Sequence, residues 1–161
     1  MSHAMPAVGE MAPDFTALND AGERITLSDY RGEWVVLYFY PKDNTPGCSK
    51  EACSLRDSFQ ALNDVNAVVL GISLDSPQSH RKFIEKYALP FTLVADTDAV
   101  VSTLYGVFGE KSLYGRTFLG IKRTTFLIDP HGIIRRVFTK VNVSRHGEEV
   151  LQAIDAVMHG G

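Results

Sequence analysis

Short, almost wholly apolar runs alternate with segments of helical periodicity along the chain, which predicts an α/β fold with a central mixed sheet flanked by helices on both faces. Three observations carry this. Val35 to Phe39 and Ala67 to Leu74 are continuous runs rich in β-branched and aromatic residues, the composition of strands covered on both faces. Ala52, Leu55, Phe59 and Leu62, and later Phe83, Ile84, Tyr87 and Ala88, recur at the spacing of amphipathic helices. Thr124 to Ile128 and Ile133 to Thr139 flank Asp129-Pro130-His131-Gly132, whose residues suit an antiparallel turn and so make the sheet mixed.

Taken in order, Gly9 to Glu33 holds turn formers and two alternating patches, Phe15 to Leu18 and Ile25 to Leu27, expected as a small hairpin. After the first buried strand, Thr45 is placed to cap a helix whose first residue is Pro46. Ser76-Pro77 repeats that start, and Leu89-Pro90 ends the second helix. Phe91 to Ala95 is a further short strand. Asp96 or Asp98 is positioned to cap a helix carrying Val100, Val101 and Leu104, closed by Gly106. The glycine-punctuated stretch from Phe108 to Lys122 is expected as a mobile surface loop. Val150, Leu151, Ile154, Val157 and Met158 mark a last amphipathic helix.

With 161 residues the chain has the length of one domain and enough core to fold without staples. Its 45% hydrophobic and 22% charged residues and net charge of -3 argue against disorder, a membrane span or a nucleic-acid surface. Residues 1–4 lack an apolar signal core and match an expression remnant before Met5, leaving 5–161 as the domain and a cytoplasmic location as the expectation. Two cysteines in a reducing compartment point to catalysis or redox sensing rather than to a staple.

Both cysteines lie in one stretch, Tyr40-Pro41-Lys42-Asp43-Asn44-Thr45-Pro46-Gly47-Cys48-Ser49-Lys50-Glu51-Ala52-Cys53. It places Cys48 in the first turn of a helix, where free backbone N–H groups and the helix dipole favour a thiolate. Metal binding is disfavoured, since zinc sites normally bring a second pair of ligands and no histidine is near in sequence. A permanent disulfide is disfavoured too. Five residues along a helix set two Cα atoms about 8–9 Å apart, beyond the roughly 7 Å that the bond spans. Taken alone, Cys48 could be a small core residue and Cys53 a thiol on a helix flank.

The surrounding residues change that balance. Pro41, Thr45 and Cys48 stand in a P-x-x-x-T-x-x-C arrangement at the end of a buried strand, joined to Glu51-Ala52-Cys53, Leu89-Pro90-Phe91 and Arg123-Thr124-Thr125-Phe126-Leu127-Ile128-Asp129. In these segments the chain resembles the peroxiredoxins, in detail the PrxQ or bacterioferritin-comigratory type, from Pro13-Asp14-Phe15 to the last helix. Ser49, where the family often has threonine, is a mild departure.

The resemblance implies a thioredoxin-like fold with peroxiredoxin additions and thiol-dependent reduction of hydrogen peroxide and organic hydroperoxides. Cys48 would be the peroxidatic thiolate, and Cys53 the resolving thiol that forms an intramolecular disulfide after the helix start unwinds. Thr45 would hold the peroxide by its hydroxyl, and Pro41 would shield the pocket. Arg123 would bring a fixed charge and a planar fork of donors, although an arginine there could otherwise be a surface ion-pair residue. Glu51 is either a fixer of the intact turn or a solvated carboxylate. The implied reductant is thioredoxin or a glutaredoxin-type dithiol, with no cofactor, no metal and a monomeric state. His80, His131 and Trp34 are expected to be structural or solvated, and His3 to belong to the remnant.

Two other functions fit the same fold class. A general thiol–disulfide oxidoreductase would want C-x-x-C, but position 51 is Glu51. A non-catalytic binding or holdase module would want an exposed apolar patch, which no stretch announces.

Overall fold

In the computed structural model, which describes residues 4–160, the strand β3 (Trp34–Phe39) is buried at every residue. Its side chains alternate between two cores. Trp34, Val36 and Tyr38 join one cluster with Cys48, Ala52, Leu55, Phe83, Val150 and Ile154, while Val35, Leu37 and Phe39 join another with Phe15, Leu27, Val101, Tyr105 and Phe126. The period of two along a strand thus sends one apolar run into both faces of the sheet.

The remaining elements arrange around it. They are β1 (Thr16–Asn19), β2 (Arg24–Thr26), a short 3-10 turn (Leu27–Tyr30), α1 (Pro46–Asp57), α2 (Phe59–Asp64), β4 (Ala67–Ser73), α3 (Pro77–Tyr87), β5 (Thr92–Ala95), α4 (Val100–Leu104), β6 (Phe108–Leu113), β7 (Arg116–Ile121), β8 (Thr124–Ile128), β9 (Ile134–Phe138) and α5 (His146–His159). The main sheet runs β2-β1-β5-β4-β3-β8-β9. The pairs β3–β4 and β4–β5 are parallel, and β3–β8, β8–β9, β1–β5 and β1–β2 are antiparallel. The mixed sheet with helices on both faces is therefore as the periodicity required, and the N-terminal hairpin also lengthens the sheet by pairing with β5.

The caps follow the sequence closely. Ser76 accepts from the Ser79 amide at 3.1 Å at the start of α3, and Asp96 accepts from the amides of Val101 and Ser102 at 3.0 and 2.7 Å. Gly106, with φ of 69°, closes α4.

Two expectations need correction. The helix after Cys48 is not continuous through Leu62, because Ser58 (φ -96°, ψ 4°) separates α1 from α2. The start of α5 packs into that break. The Gly147 amide donates to Ser54 Oγ at 3.0 Å, and a Cβ at Gly147 would lie 2.6 Å from the Ser54 carbonyl oxygen. The stretch Phe108 to Lys122 is not an irregular loop either. It is an antiparallel hairpin, β6 with β7, turned by Tyr114 and Gly115 at φ of 52° and 78°. Much of it is exposed, so its residues alternate too weakly in polarity to announce strands. The hairpin carries exposed Leu113, Tyr114, Phe118 and Leu119, so an apolar patch exists where the sequence announced none. No helix among the described residues is long and apolar enough to cross a membrane.

Candidate active site

The loop from Tyr40 to Thr45 leaves the end of β3 and is held from below by a buried acid. Asp43 is 7% exposed. Its carboxylate accepts from Tyr40 Oη at 2.5 Å and Ser79 Oγ at 2.8 Å, and pairs with His80 Nδ1 at 2.8 Å. The second ring nitrogen of His80 meets the Val94 carbonyl at 2.9 Å. His80 is fully buried, so the structural expectation holds for it, and its function is to tie the cysteine-bearing loop to α3 and β5. Asn44 adopts a left-handed backbone (φ 59°), which sharpens the turn into α1.

Thr45 stands at the N-cap and Pro46 at the first helical position, as expected. The Thr45 hydroxyl does not cap the helix. It donates to the Lys42 carbonyl at 2.9 Å. The amides of Gly47 and Cys48 lie in a first turn that has no intrahelical acceptor for them. With its proton committed to Lys42, the hydroxyl presents acceptor lone pairs outward.

Cys48 is 1% exposed at the start of α1. Arg123, from the connection between β7 and β8, brings Nη2 to 3.4 Å from Cys48 Sγ and Nη1 to 2.5 Å from Glu51 Oε1. One planar fork thus spans sulfur and carboxylate. A Cβ at Gly47 would sit 3.1 Å from Arg123 Nη2, so the glycine leaves the guanidinium room to approach.

Glu51 is fully buried rather than solvated, which decides between its two readings. Burial pushes its carboxyl up to about 7, against the lowering effect of Arg123. Its second oxygen lies 3.8 Å from His146 Nε2 on α5. That imidazole is also fully buried. Its Nε2 is 2.8 Å from Thr125 Oγ1 and its Nδ1 2.9 Å from Glu149 Oε1. Burial lowers the His146 pKa, with Glu149 opposing. Burial likewise raises the Tyr38 pKa well above normal, with Glu51 and Cys48 adding to the effect.

The fold therefore brings Cys48, Arg123 and Glu51 to one point, with Thr45 at the N-cap of the same helix and Pro41, half-buried, following Tyr40 in the loop before it. It keeps Cys53 away. Cys53 is half-buried on the intact α1, both cysteines are free thiols, and five residues turn the second side chain about 140° from the first. Sequence reasoning missed His146, Glu149 and Tyr38. His146 had a usable signal, since it precedes Val150 and Ile154 at intervals of four on the buried stripe of α5. His131 is exposed in its turn, as expected.

Comparison with known proteins agrees with this geometry. The model of the AhpC/TSA family matches residues 8–137. The chain is 51% identical over 144 residues to a putative peroxiredoxin bcp of Coxiella burnetii, covering 89% of this chain and 95% of that one. It is 46% identical over 143 residues to peroxiredoxin Bcp of Escherichia coli K12, covering 89% and 92%. Among solved structures, a cysteine-to-serine mutant of Xylella fastidiosa PrxQ superposes with a TM-score of 0.91 at 37% identity, covering 98% of this chain and all of that one. The bacterioferritin comigratory protein of Xanthomonas campestris, whose structures concern its alkyl peroxide reduction activity, gives 0.83 at 37% identity, covering 89% and 91%. With its mixed sheet, its buried cysteine at a helix start and these relatives, the chain belongs to the AhpC/TSA family as a peroxiredoxin of the Bcp and PrxQ type, a thiol-dependent peroxidase of thioredoxin-like fold.

Proposed function

We propose that Cys48 is the peroxidatic residue and Cys53 the resolving one, in a single domain of residues 5–161. The observation that carries this is the Arg123 fork, 3.4 Å from Cys48 Sγ. The Cys48 thiolate attacks the terminal peroxide oxygen, an S–O bond forms as the O–O bond breaks, and the sulfur becomes a sulfenic acid. Water or an alcohol leaves. Charge developing on the peroxide oxygens meets the guanidinium and the first-turn amides, which need no reorganisation. The Thr45 lone pairs accept the peroxide O–H and orient it, and Pro41 adds no competing donor to the pocket wall.

The Cys53 thiol then attacks the sulfenic sulfur and expels water, leaving a Cys48–Cys53 disulfide. This step requires the first turns of α1 to unwind. Both sulfurs become accessible in that state, and a thioredoxin- or glutaredoxin-type dithiol reduces the bond by exchange. Hydrogen peroxide and organic hydroperoxides are the substrates, in keeping with the Xanthomonas relative. The resolving partner lies in the same chain, so a monomer suffices, and the cycle suits a reducing compartment such as the cytoplasm. A general thiol–disulfide oxidoreductase fits less well, because a sulfur 1% exposed does not admit a protein disulfide before unwinding.

Mass spectrometry after one equivalent of peroxide, with and without thioredoxin, tests the scheme. A bond between positions 48 and 53 should appear and be reduced. Cys48→Ser should abolish turnover, and Cys53→Ser should allow one oxidation and then accumulate sulfenic or overoxidised Cys48. Thioredoxin-linked turnover that survives Cys48→Ser would defeat the assignment.

A further inference from the structure

Behind the sulfur, the Glu51 carboxyl has one oxygen committed and one unspent. Oε1 accepts from Arg123, while Oε2 is buried with no hydrogen-bond partner among the described residues. That free oxygen faces His146 Nε2 at 3.8 Å, and the other ring nitrogen lies 2.9 Å from Glu149. The Glu51 and His146 side chains are fully buried, whereas that of Glu149 is 30% exposed. An imidazole therefore stands between an interior carboxyl and a surface carboxylate, with one nitrogen toward each. Thr125 Oγ1, 2.8 Å from Nε2, holds the ring.

The titratable and charged groups around Glu51 are Cys48 on its own helix, Tyr38 on β3, Arg123 before β8, and His146 and Glu149 on α5, with Lys111 on β6 beyond Arg123. Arg123 contacts two acids at once, the Cys48 sulfur and Glu51. With Cys48 as thiolate, an ionised Glu51 would set two anions on the one guanidinium, with only Lys111 beyond it to balance the second. With Cys48 oxidised, a protonated Glu51 would leave the guanidinium unbalanced instead. Unpaired buried charge is costly in either sense.

We propose that Glu51 is the proton-exchanging partner of Cys48: protonated while Cys48 is a thiolate, ionised once Cys48 is oxidised, and linked to solvent through His146 and Glu149. The step balances as Cys48–S⁻ + ROOH + Glu51–COOH → Cys48–SOH + ROH + Glu51–COO⁻. The S–O bond forms, the O–O bond breaks, and the two electrons lost by sulfur reduce the peroxide. The leaving alkoxide takes a proton from water at the pocket mouth. Glu51 Oε2 closes from 3.8 Å onto His146 Nε2, displacing Thr125 Oγ1, and passes its proton there; Nδ1 hands one to Glu149, which releases it to the hydroxide left in solvent. Reduction of the disulfide reverses the transfer. Glu51, His146 and Glu149 touch no substrate in this scheme; Glu51 holds Arg123, and His146 and Glu149 carry its proton. Burial sets Glu51 near 7, where both of its states are accessible.

The inference rests on Cys48 as the peroxidatic residue, and the two are tested separately. Pre-reduced protein receives one equivalent of hydrogen peroxide at pH 7 in weak buffer containing a pH indicator, and the oxidised-minus-reduced infrared spectrum is recorded. In this step the wild type covers the proton from Glu51 while Glu51→Gln must draw it from solvent, so Glu51→Gln should take up more protons per peroxide than the wild type, up to one. The wild type should lose a protonated-carboxyl band that the variant lacks. Glu149→Gln removes a charge that raises Glu51, so its proton uptake should move toward that of Glu51→Gln. In His146→Gln, loss of the band should lag behind sulfur oxidation. Peroxide consumption with equal proton uptake in the wild type, Glu51→Gln and Glu149→Gln overturns the proposal, as does a carboxyl band unchanged on oxidation. Loss of the band in step with sulfur oxidation in His146→Gln removes the relay. A wild type that consumes no peroxide overturns the Cys48 assignment itself.

Discussion

At the scale of single residues, the site depends on one guanidinium meeting two acids in fixed directions. Arg123 reaches Cys48 and Glu51 with different nitrogens, and a lysine ammonium has no fork with which to do both. Arg123→Lys loses at least one hydrogen bond to a charged group, worth about 1.5–3 kcal/mol. Its kcat/KM for peroxide should fall roughly 10- to 100-fold, and steady-state kinetics showing no change would remove Arg123 from the reacting centre. Glu51 also has a signature in stability. Its pKa is raised from 4.5 to about 7 on folding, so between those values the folded chain holds a proton that the unfolded chain releases. The contribution of this group is fully present below about 4.5 and is lost as pH rises through 7. Glu51→Gln lacks that loss. Its stability relative to the wild type should rise across this window, by on the order of 3 kcal/mol. Urea denaturation at pH 4.5, 6 and 8 reads the difference, and a pH-independent gap would contradict it.

At the scale of elements, α1 carries two opposed demands. Intact, it holds Cys48 against Arg123 and turns Cys53 away. Unwound at its start, it lets the sulfurs meet. The break at Ser58 and the docking of Gly147 on Ser54 anchor its far end on α5, so a change at the near end need not pass into α2. Oxidation to the disulfide should therefore strip amide-exchange protection from Gly47 to Cys53 while leaving α5 protected. Hydrogen exchange with mass spectrometry compares the reduced and oxidised forms. Equal protection of α1 in both would mean that the disulfide forms without unwinding, against the helix geometry. The loop before α1 has a different anchor. Asp43 binds Tyr40, Ser79 and His80, so the position of Thr45 depends on α3 as well as on β3.

At the scale of the whole molecule, the site sits where β3 ends, with α1, α3, α5 and the approach to β8 converging at one end of the central strands. Every group of the proposed site comes from this chain, and light scattering during gel filtration should return the monomer mass of 17.8 kDa. A mass of twice that value would remove the monomer assignment. The exposed Leu113, Tyr114, Phe118 and Leu119 of the β6–β7 hairpin are the residues to inspect in that case.

Much of this was legible in the amino-acid sequence, because strand and helix periods, caps and the P-x-x-x-T-x-x-C spacing are local properties. The strand Val35 to Phe39, the Thr45-Pro46 helix start, the Ser76 cap and the Asp129 turn all stand where local chemistry put them. Arg123 was reached through its flanking residues and the family likeness they carry. The β6–β7 hairpin was missed because its half-exposed strands have no clean alternation, and the Ser58 break because the group packed into it, Gly147, is far away in the chain. Glu51 could be read two ways until its burial was known, since burial belongs to the packed whole. His146 and Glu149 stand 95 and 98 positions beyond Glu51. Only the packing of α5 across α1 brings them to its carboxyl. Local chemistry alone put Cys48 in the first turn of a helix that a buried strand feeds. What surrounds that thiol follows from packing, because the charge balance of a buried site is set by groups that meet only when distant segments come together.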